Sequence, residues 1–416
     1  MKSNFLPSIA RQLTACAATL LIAATTVAAQ TEHVIYAFKG GNDGSYPTAG
    51  LISDAHGNLY GTTTGSNFGG GTIFQLTKPT GGAWTETVLH TFTGGTTDGR
   101  APEAGLIFDR AGNLYGTTAY GGTSNLGIVF ELTPPASGSG PWTETILYNF
   151  QSFGRYSNGS VGGGLIFKGK TLYGTTLWGG LHNDGNVYAL APNSSNVWNL
   201  KALYSFDGGA DGLEPNYACD ALVLDKSGNL YGVTAFGGVN GAGNVFEMTP
   251  PSAPGGAWTE TVLYSFGASS TDGNVPVTGV IFDANGNLYG TTNAGGNFGN
   301  GTVYELSPPA AVGGAWTESV IYSFTGGTDG DTPWGNLTLD KSGNLYGTTL
   351  TGGVYKLAPP SGSGSWTETT LYHFPGASND GVEPQAGVLV DPSGNLYGTT
   401  SQGGATSNGT VYVIHP

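Results

Sequence analysis

Apolar and polar residues alternate along this chain in short bursts separated by glycine-rich stretches. The clearest example runs from Ala104 to Phe150. It opens on an apolar run, Gly105-Leu106-Ile107-Phe108-Asp109, and a turn, Arg110-Ala111-Gly112. Asn113-Leu114-Tyr115-Gly116-Thr117-Thr118 follows, then a loop rich in glycine that ends at Gly127. A third apolar stretch, Ile128–Leu132, stops at Thr133-Pro134-Pro135, and the last segment is Trp142-Thr143-Glu144-Thr145-Ile146-Leu147-Tyr148-Asn149-Phe150. Short runs of this kind between turn signals predict four strands. The Pro-Pro pair marks the end of the third, since proline cannot donate to a ladder. Asp109 to Asn113 reads as a short hairpin link with its glycine near the end. No window shows a 3.6-residue period of useful length, which excludes a helical repeat.

The same sentence recurs. Leu-Tyr-Gly occurs seven times, with its tyrosine at Tyr60, Tyr115, Tyr173, Tyr231, Tyr289, Tyr346 and Tyr397, at intervals of 55, 58, 58, 58, 57 and 51 residues. Seven four-stranded units predict an all-β fold, a seven-bladed β-propeller formed by residues 30–416 as one domain. The two ends supply the argument for closure. The last unit stops with its third strand, at Gly409–Pro416, and its fourth is missing. Glu32-His33-Val34-Ile35-Tyr36-Ala37-Phe38 matches Glu144–Phe150 position for position. Residues 32–38 are therefore expected to form the outer strand of the seventh blade, which removes an exposed sheet edge.

Composition agrees with many short strands. Glycine reaches 73 of 416 residues and charged residues only 10%, yet 38% are hydrophobic, too many for a disordered chain. The formal charge of −15 and scattered Lys and Arg argue against nucleic acid, which needs a basic stripe. Residues 1–29 read as a signal peptide: Lys2 and Arg11, the apolar run Leu13–Ala24, and Val27-Ala28-Ala29 before Gln30. Leu13-Thr14-Ala15-Cys16 has the residue types of a lipidation box, but it opens the apolar run instead of following it. A secreted or periplasmic protein without a membrane span is expected. Taking away Lys2 and Arg11 lowers the formal charge from −15 to −17 and leaves Cys219 as the single cysteine, so no intramolecular disulfide is expected.

The unit of Leu-Ile-Phe-Asp, Gly-Asn-Leu-Tyr-Gly-Thr-Thr, Gly-Gly, Val-Phe-Glu-Leu and Trp-Thr-Glu-Thr resembles the GloVer tandem-repeat family of bacterial exported proteins, over nearly all of residues 30–416. The resemblance implies export and a repeat fold, and no catalytic activity. Members often carry a C-terminal anchoring segment; this sequence ends at Pro416 without an apolar tail or basic terminus, so free export is expected.

Repetition sorts fold from function. The seven Leu-Tyr-Gly glycines are expected to let neighbouring blades approach near the axis. Trp84, Trp142, Trp198, Trp258, Trp316 and Trp366 recur in the fourth strand; packing at the blade edge is the simpler reading and repeated lectin pockets the alternative. The links between blades carry Asp43-Gly44, Asp98-Gly99, Asn158-Gly159, Asp211-Gly212, Asp272-Gly273, Asp329-Gly330 and Asp380-Gly381. They would place a ring of carboxylates on one face. One carboxylate per loop is too few oxygens for calcium, so turn chemistry is the plainer account. Asp283-Ala284-Asn285-Gly286-Asn287 begins like a calcium loop but lacks its later glycine and glutamate.

Departures from the repeat point to a ligand. Where other blades have Ala294 or Gln402, blades two, three and four carry Tyr120, Trp178 and Phe236. These rings should lie side by side on one face, with Tyr217 extending the patch and Trp334 apart from it; gap filling is the competing account. No catalytic, cofactor-binding or metal-ligating constellation is expected. The six histidines share no repeat position, and HExxH, GxSxG and GxxxxGKS motifs are absent. A sialidase-like arginine cluster is not available from Arg100, Arg110 and Arg155. The reading is a monomeric, non-catalytic binding propeller for a glycan or cell-surface polymer. The alternatives are an interaction module with an envelope protein partner, and a secreted polysaccharide hydrolase or lyase using a carboxylate pair.

Overall fold

Four antiparallel strands form in each unit where the alternation places them. In the second unit they are Ile107–Phe108, Leu114–Thr118, Ile128–Thr133 and Thr143–Asn149, hydrogen-bonded in chain order. The computed structural model describes residues 30–415 except 66–68, 139, 154–155, 158–162, 217–220, 312, 363 and 377–378. Among the described residues there are seven such sheets and no α-helix, so no helix able to cross a membrane. The fold is a seven-bladed β-propeller. The segment read as a signal peptide, Asn158, Tyr217 and Cys219 lie outside the described residues.

The seventh blade is completed by the start of the chain. Thr31–Ala37 pairs antiparallel with Thr410–His415, from Thr31 opposite His415 to Ala37 opposite Thr410. A detail of register identifies this strand as a true fourth strand. In every blade the outer pair contains a bulge with one extra apolar residue on the fourth strand. The extra residue is Leu89, Leu147, Leu203, Leu263, Ile321 or Leu371 in blades one to six, and Ile35 in blade seven. Such a bulge sharpens the twist of the outer edge, and all seven blades share it.

The core lies between blades. A phenylalanine just after each fourth strand packs on the third-strand aromatic of the next blade. Phe92–Phe130, Phe150–Tyr188, Phe206–Phe246, Phe266–Tyr304, Phe324–Tyr355 and Phe374–Tyr412 have ring centroids 4.9–5.5 Å apart. Phe38–Phe74, at 5.1 Å, closes the circle from blade seven to blade one. Edge-on pairs at this separation are the favoured aromatic geometry. Lower on four of the seams, the fourth-strand tryptophan meets the Leu-Tyr-Gly tyrosine of the preceding blade. Trp84–Tyr397, Trp142–Tyr60, Trp258–Tyr173 and Trp366–Tyr289 lie at 6.0–6.5 Å. All six tryptophans are half-buried and pack against the core clusters between blades.

The Leu-Tyr-Gly glycines are fold positions, but for a different reason from close approach of blades. Each faces the third-strand aromatic of its own blade: a Cβ on Gly116 would sit 2.6 Å from Phe130 Cζ, and one on Gly398 2.4 Å from Tyr412 Cζ. The ring lies over the glycine. Close approach near the axis occurs instead in the first strands, where a Cβ on Gly387 would lie 2.3 Å from the Asn336 carbonyl oxygen of blade six. The innermost strands keep only two or three residues, such as Ile107–Phe108, of the longer apolar run.

Candidate functional site

One face of the ring is formed by the links between blades together with the loops after the second strands. Its backbone is stapled. In six links one residue adopts the left-handed conformation: Tyr46, Ala101, Glu214, Val275, Thr332 and Glu383, at φ +54° to +59°. The Ala101 N–H donates to the Gly70 carbonyl of the preceding blade, while its carbonyl accepts from Ala119 of its own blade. Tyr46, Val275 and Thr332 repeat both bonds. Non-glycine residues persist in this region only when the surroundings hold them there. In these four links one bond across the seam and one within the blade do so.

Tyr120, Trp178 and Phe236 all emerge on this face, 43%, 49% and 37% exposed. They occupy equivalent places on consecutive blades, at the outer ends of second strands. Tyr120 pairs with Arg100 in a two-residue ladder, and the Arg100 guanidinium stands 4.9 Å above the Tyr120 ring. This stacking holds the ring upright. The Trp178 indole N–H donates to Glu214 Oε1 at 3.3 Å, across the seam into the link of blade four. Leu213, next to Glu214, pairs with Phe236, so the second and third rings are tied through one short strand, Leu213–Pro215. In blade seven the equivalent Gln402 donates instead to Glu383 at 2.7 Å. Tyr217, expected to extend the patch, lies outside the described residues.

Three partners of the arc were not legible in the sequence. Tyr46 is 47% exposed and stands in the link entering blade one, where Gly65 occupies the loop position of Tyr120 and leaves room for it. Arg100 and Glu214 are the first and second residues after Asp-Gly in their links.

A cavity of about 330 Å³ runs between the first strands on the axis of the ring. Its walls include apolar residues that lead into the first strands, such as Leu51, Leu106 and Val388, and its polar lining includes Thr48, Glu103 and Gln385. Trp334 belongs to this lining, which separates it from the peripheral arc.

The Asp-Gly carboxylates do not form an exposed ring. Asp98, Asp211, Asp272 and Asp329 are buried. Local donors engage them: Asp272 accepts from the Tyr264 hydroxyl, the Ala268 N–H and the Gly273 N–H. Asp211, Asp329 and Asp380 accept from Tyr204, Tyr322 and Tyr372 at 2.9–3.0 Å. Asp283 is likewise engaged by the Asn285 and Asn287 N–H groups and the Asn287 amide, which is turn chemistry and leaves no calcium loop.

Comparison with curated proteins found no match. Among solved structures, the β-propeller domain of Myceliophteria thermophila Cps50 (Swd1) is similar at TM-score 0.50 and 10% identity, over 92% of this chain and 99% of that one. The PQQ domain of pyranose dehydrogenase from Coprinopsis cinerea follows at TM-score 0.39 and 13% identity, covering 93% and 97%. A glucose dehydrogenase aligns at TM-score 0.44 and 14% identity, covering 93% and 99%. At such identities the likeness shows the propeller fold alone. Residues 20–162 and 142–356 match the Gloeobacter/Verrucomicrobia repeat, and with most of the sequence spanned by these two segments the chain belongs to the Gloeobacter/Verrucomicrobia repeat family.

Proposed function

We propose that this protein is an exported, non-catalytic binding propeller that recognises a glycan or cell-surface polymer through the arc of Tyr120, Trp178 and Phe236. The observation that carries this reading is the exposure of three aromatic rings at one repeat position on consecutive blades, where blades five and seven have Ala294 and Gln402. Flat rings stack on the C–H faces of sugars, and an arc over three blades suits an extended chain. The contacts of Arg100 and Glu214 hold two of the rings in place before any ligand arrives, which lowers the ordering cost of binding. A formal charge of −15 favours an uncharged or basic polymer over a polyanion. Export rests on the N-terminal signal pattern, Lys2 to Ala29.

The test is retention on a panel of immobilised polysaccharides, with release of soluble products followed in parallel. Trp178→Ala is expected to weaken retention about tenfold, equivalent to about 1.4 kcal/mol, without altering the melting temperature. Unchanged affinity removes this site, and degradation of any polysaccharide in the panel replaces the binding role with a hydrolytic or lytic one.

A further inference from the structure

The position before the last residues of each fourth strand is a tyrosine in six blades: Tyr36, Tyr148, Tyr204, Tyr264, Tyr322 and Tyr372. In five of these blades its hydroxyl is seen to donate to the Asp-Gly aspartate of the following link. Blade one has His90 there instead. Its ring packs edge-on against Phe92 at 4.6 Å and turns Nε2 towards Asp98 Oδ1 at 3.6 Å and Glu144 Oε2 at 3.9 Å. Glu144 comes from the fourth strand of blade two, so the three groups join two blades. The donor and acceptor atoms lie within 4.8 Å of one another. His90 Nε2 and Glu144 Oε1 are closed to solvent and have no hydrogen-bond partner. Asp98 is fixed by the Thr93 N–H and hydroxyl and the Gly99 N–H, the kind of outer shell that orients a metal ligand.

We infer that this seam holds a divalent transition metal of the Zn²⁺ class, bound by His90 Nε2, Asp98 Oδ1 and a Glu144 oxygen. Tetrahedral zinc with bonds of about 2.1 Å places its ligand atoms about 3.4 Å apart, a few tenths of an ångström inside the distances from Nε2 found here. One imidazole and two carboxylates suit zinc better than calcium, which needs six to eight oxygens. A dication also balances the two carboxylate charges beside a neutral imidazole. Bound there, it clamps blade one to blade two.

The test uses chelator-treated protein titrated with Zn²⁺, with Mg²⁺ as the hard-ion control. His90→Tyr supplies the residue that six blades already carry, so the variant keeps its fold; Glu144→Gln is a second probe. His33 and His415, with rings 5.8 Å apart, offer another place for zinc, so the readout is the difference between parent and variants. The parent should take up one more Zn²⁺ than His90→Tyr, melt higher with Zn²⁺ but not Mg²⁺, and give a visible Co²⁺ spectrum that both variants lose. Equal stoichiometry in parent and His90→Tyr, or a parent melting temperature indifferent to Zn²⁺, overturns the proposal in favour of a plain ion pair between protonated His90 and the two carboxylates.

Discussion

At Gly290 the backbone lies outside the left-handed region, so alanine there is restricted by space and not by conformation. Its Cβ would fall 2.3 Å from Tyr304 Oη and 2.6 Å from Tyr304 Cζ, and Tyr304 is fully buried with nowhere to turn. Overpacking of this kind costs about 1–3 kcal/mol. Gly290→Ala is therefore expected to lower the melting temperature by several degrees, while Gly81→Ala, with no atom within 4 Å of its new methyl, leaves it unchanged. A thermal melt of the two variants decides it. The demand for glycine was legible from its sevenfold recurrence, but its reason was not. The ring that fills the space stands 14 residues on, and only the strand register shows Tyr304 opposite Gly290. Tyr46 escaped sequence reading for a similar reason: it belongs to a link and takes up a gap in a loop of another strand pair.

Between elements, the seams carry a repeated pair of acids. A fourth-strand glutamate faces the Asp-Gly aspartate of the link before it, as Glu260 faces Asp211 and Glu318 faces Asp272. By repeat position the seam entering blade three has Asn158 and Leu200 in these places, so the two acids are lost together. Burial first, and the neighbouring aspartate charge second, push the Glu260 and Glu318 carboxyls up to about 7. The folded protein thus binds protons that the unfolded chain, with carboxyls near 4.5, has released. This contribution to stability is complete below about pH 4.5 and is lost as pH rises through about 7. Melting temperature should fall by a few degrees between mildly acidic and mildly alkaline buffer, and Glu318→Gln should flatten the slope; a parent that melts alike in both buffers refutes it. The aspartates were readable as turn residues from Asp-Gly alone. Their second engagement, with a tyrosine of the preceding strand and a glutamate of the next blade, depends on how neighbouring blades align, which no local pattern states.

For the whole molecule, closure rests on Thr31–Ala37 and on Phe38, which is fully buried and bridges blades seven and one through Phe74 and the Gly409 carbonyl. Removing residues 31–38 takes away a hydrogen-bonded strand, the bulged Ile35 and one of the seven aromatic pairs. Phe38→Ala alone is expected to cost about 3–5 kcal/mol, and the truncation more, with self-association through the bared edge of Thr410–His415 visible by size-exclusion chromatography. A truncated chain that melts and elutes like the parent contradicts this. The ring was the most legible feature of all, because a split repeat has a ready meaning only in a closed array. The arc of Tyr120, Trp178 and Phe236 was legible as departures from that repeat, whereas its tethers to Arg100 and Glu214 needed the fold.

The pairing of Thr31–Ala37 with Thr410–His415 also sets a timetable. A ribosome makes the first of these strands early and its partner 379 residues later, at about 5–20 residues per second. For tens of seconds the nascent chain holds an apolar strand with no mate, and the last joint can form only when synthesis of both segments is complete. The vulnerable interval of this protein's life is the wait for its final strand.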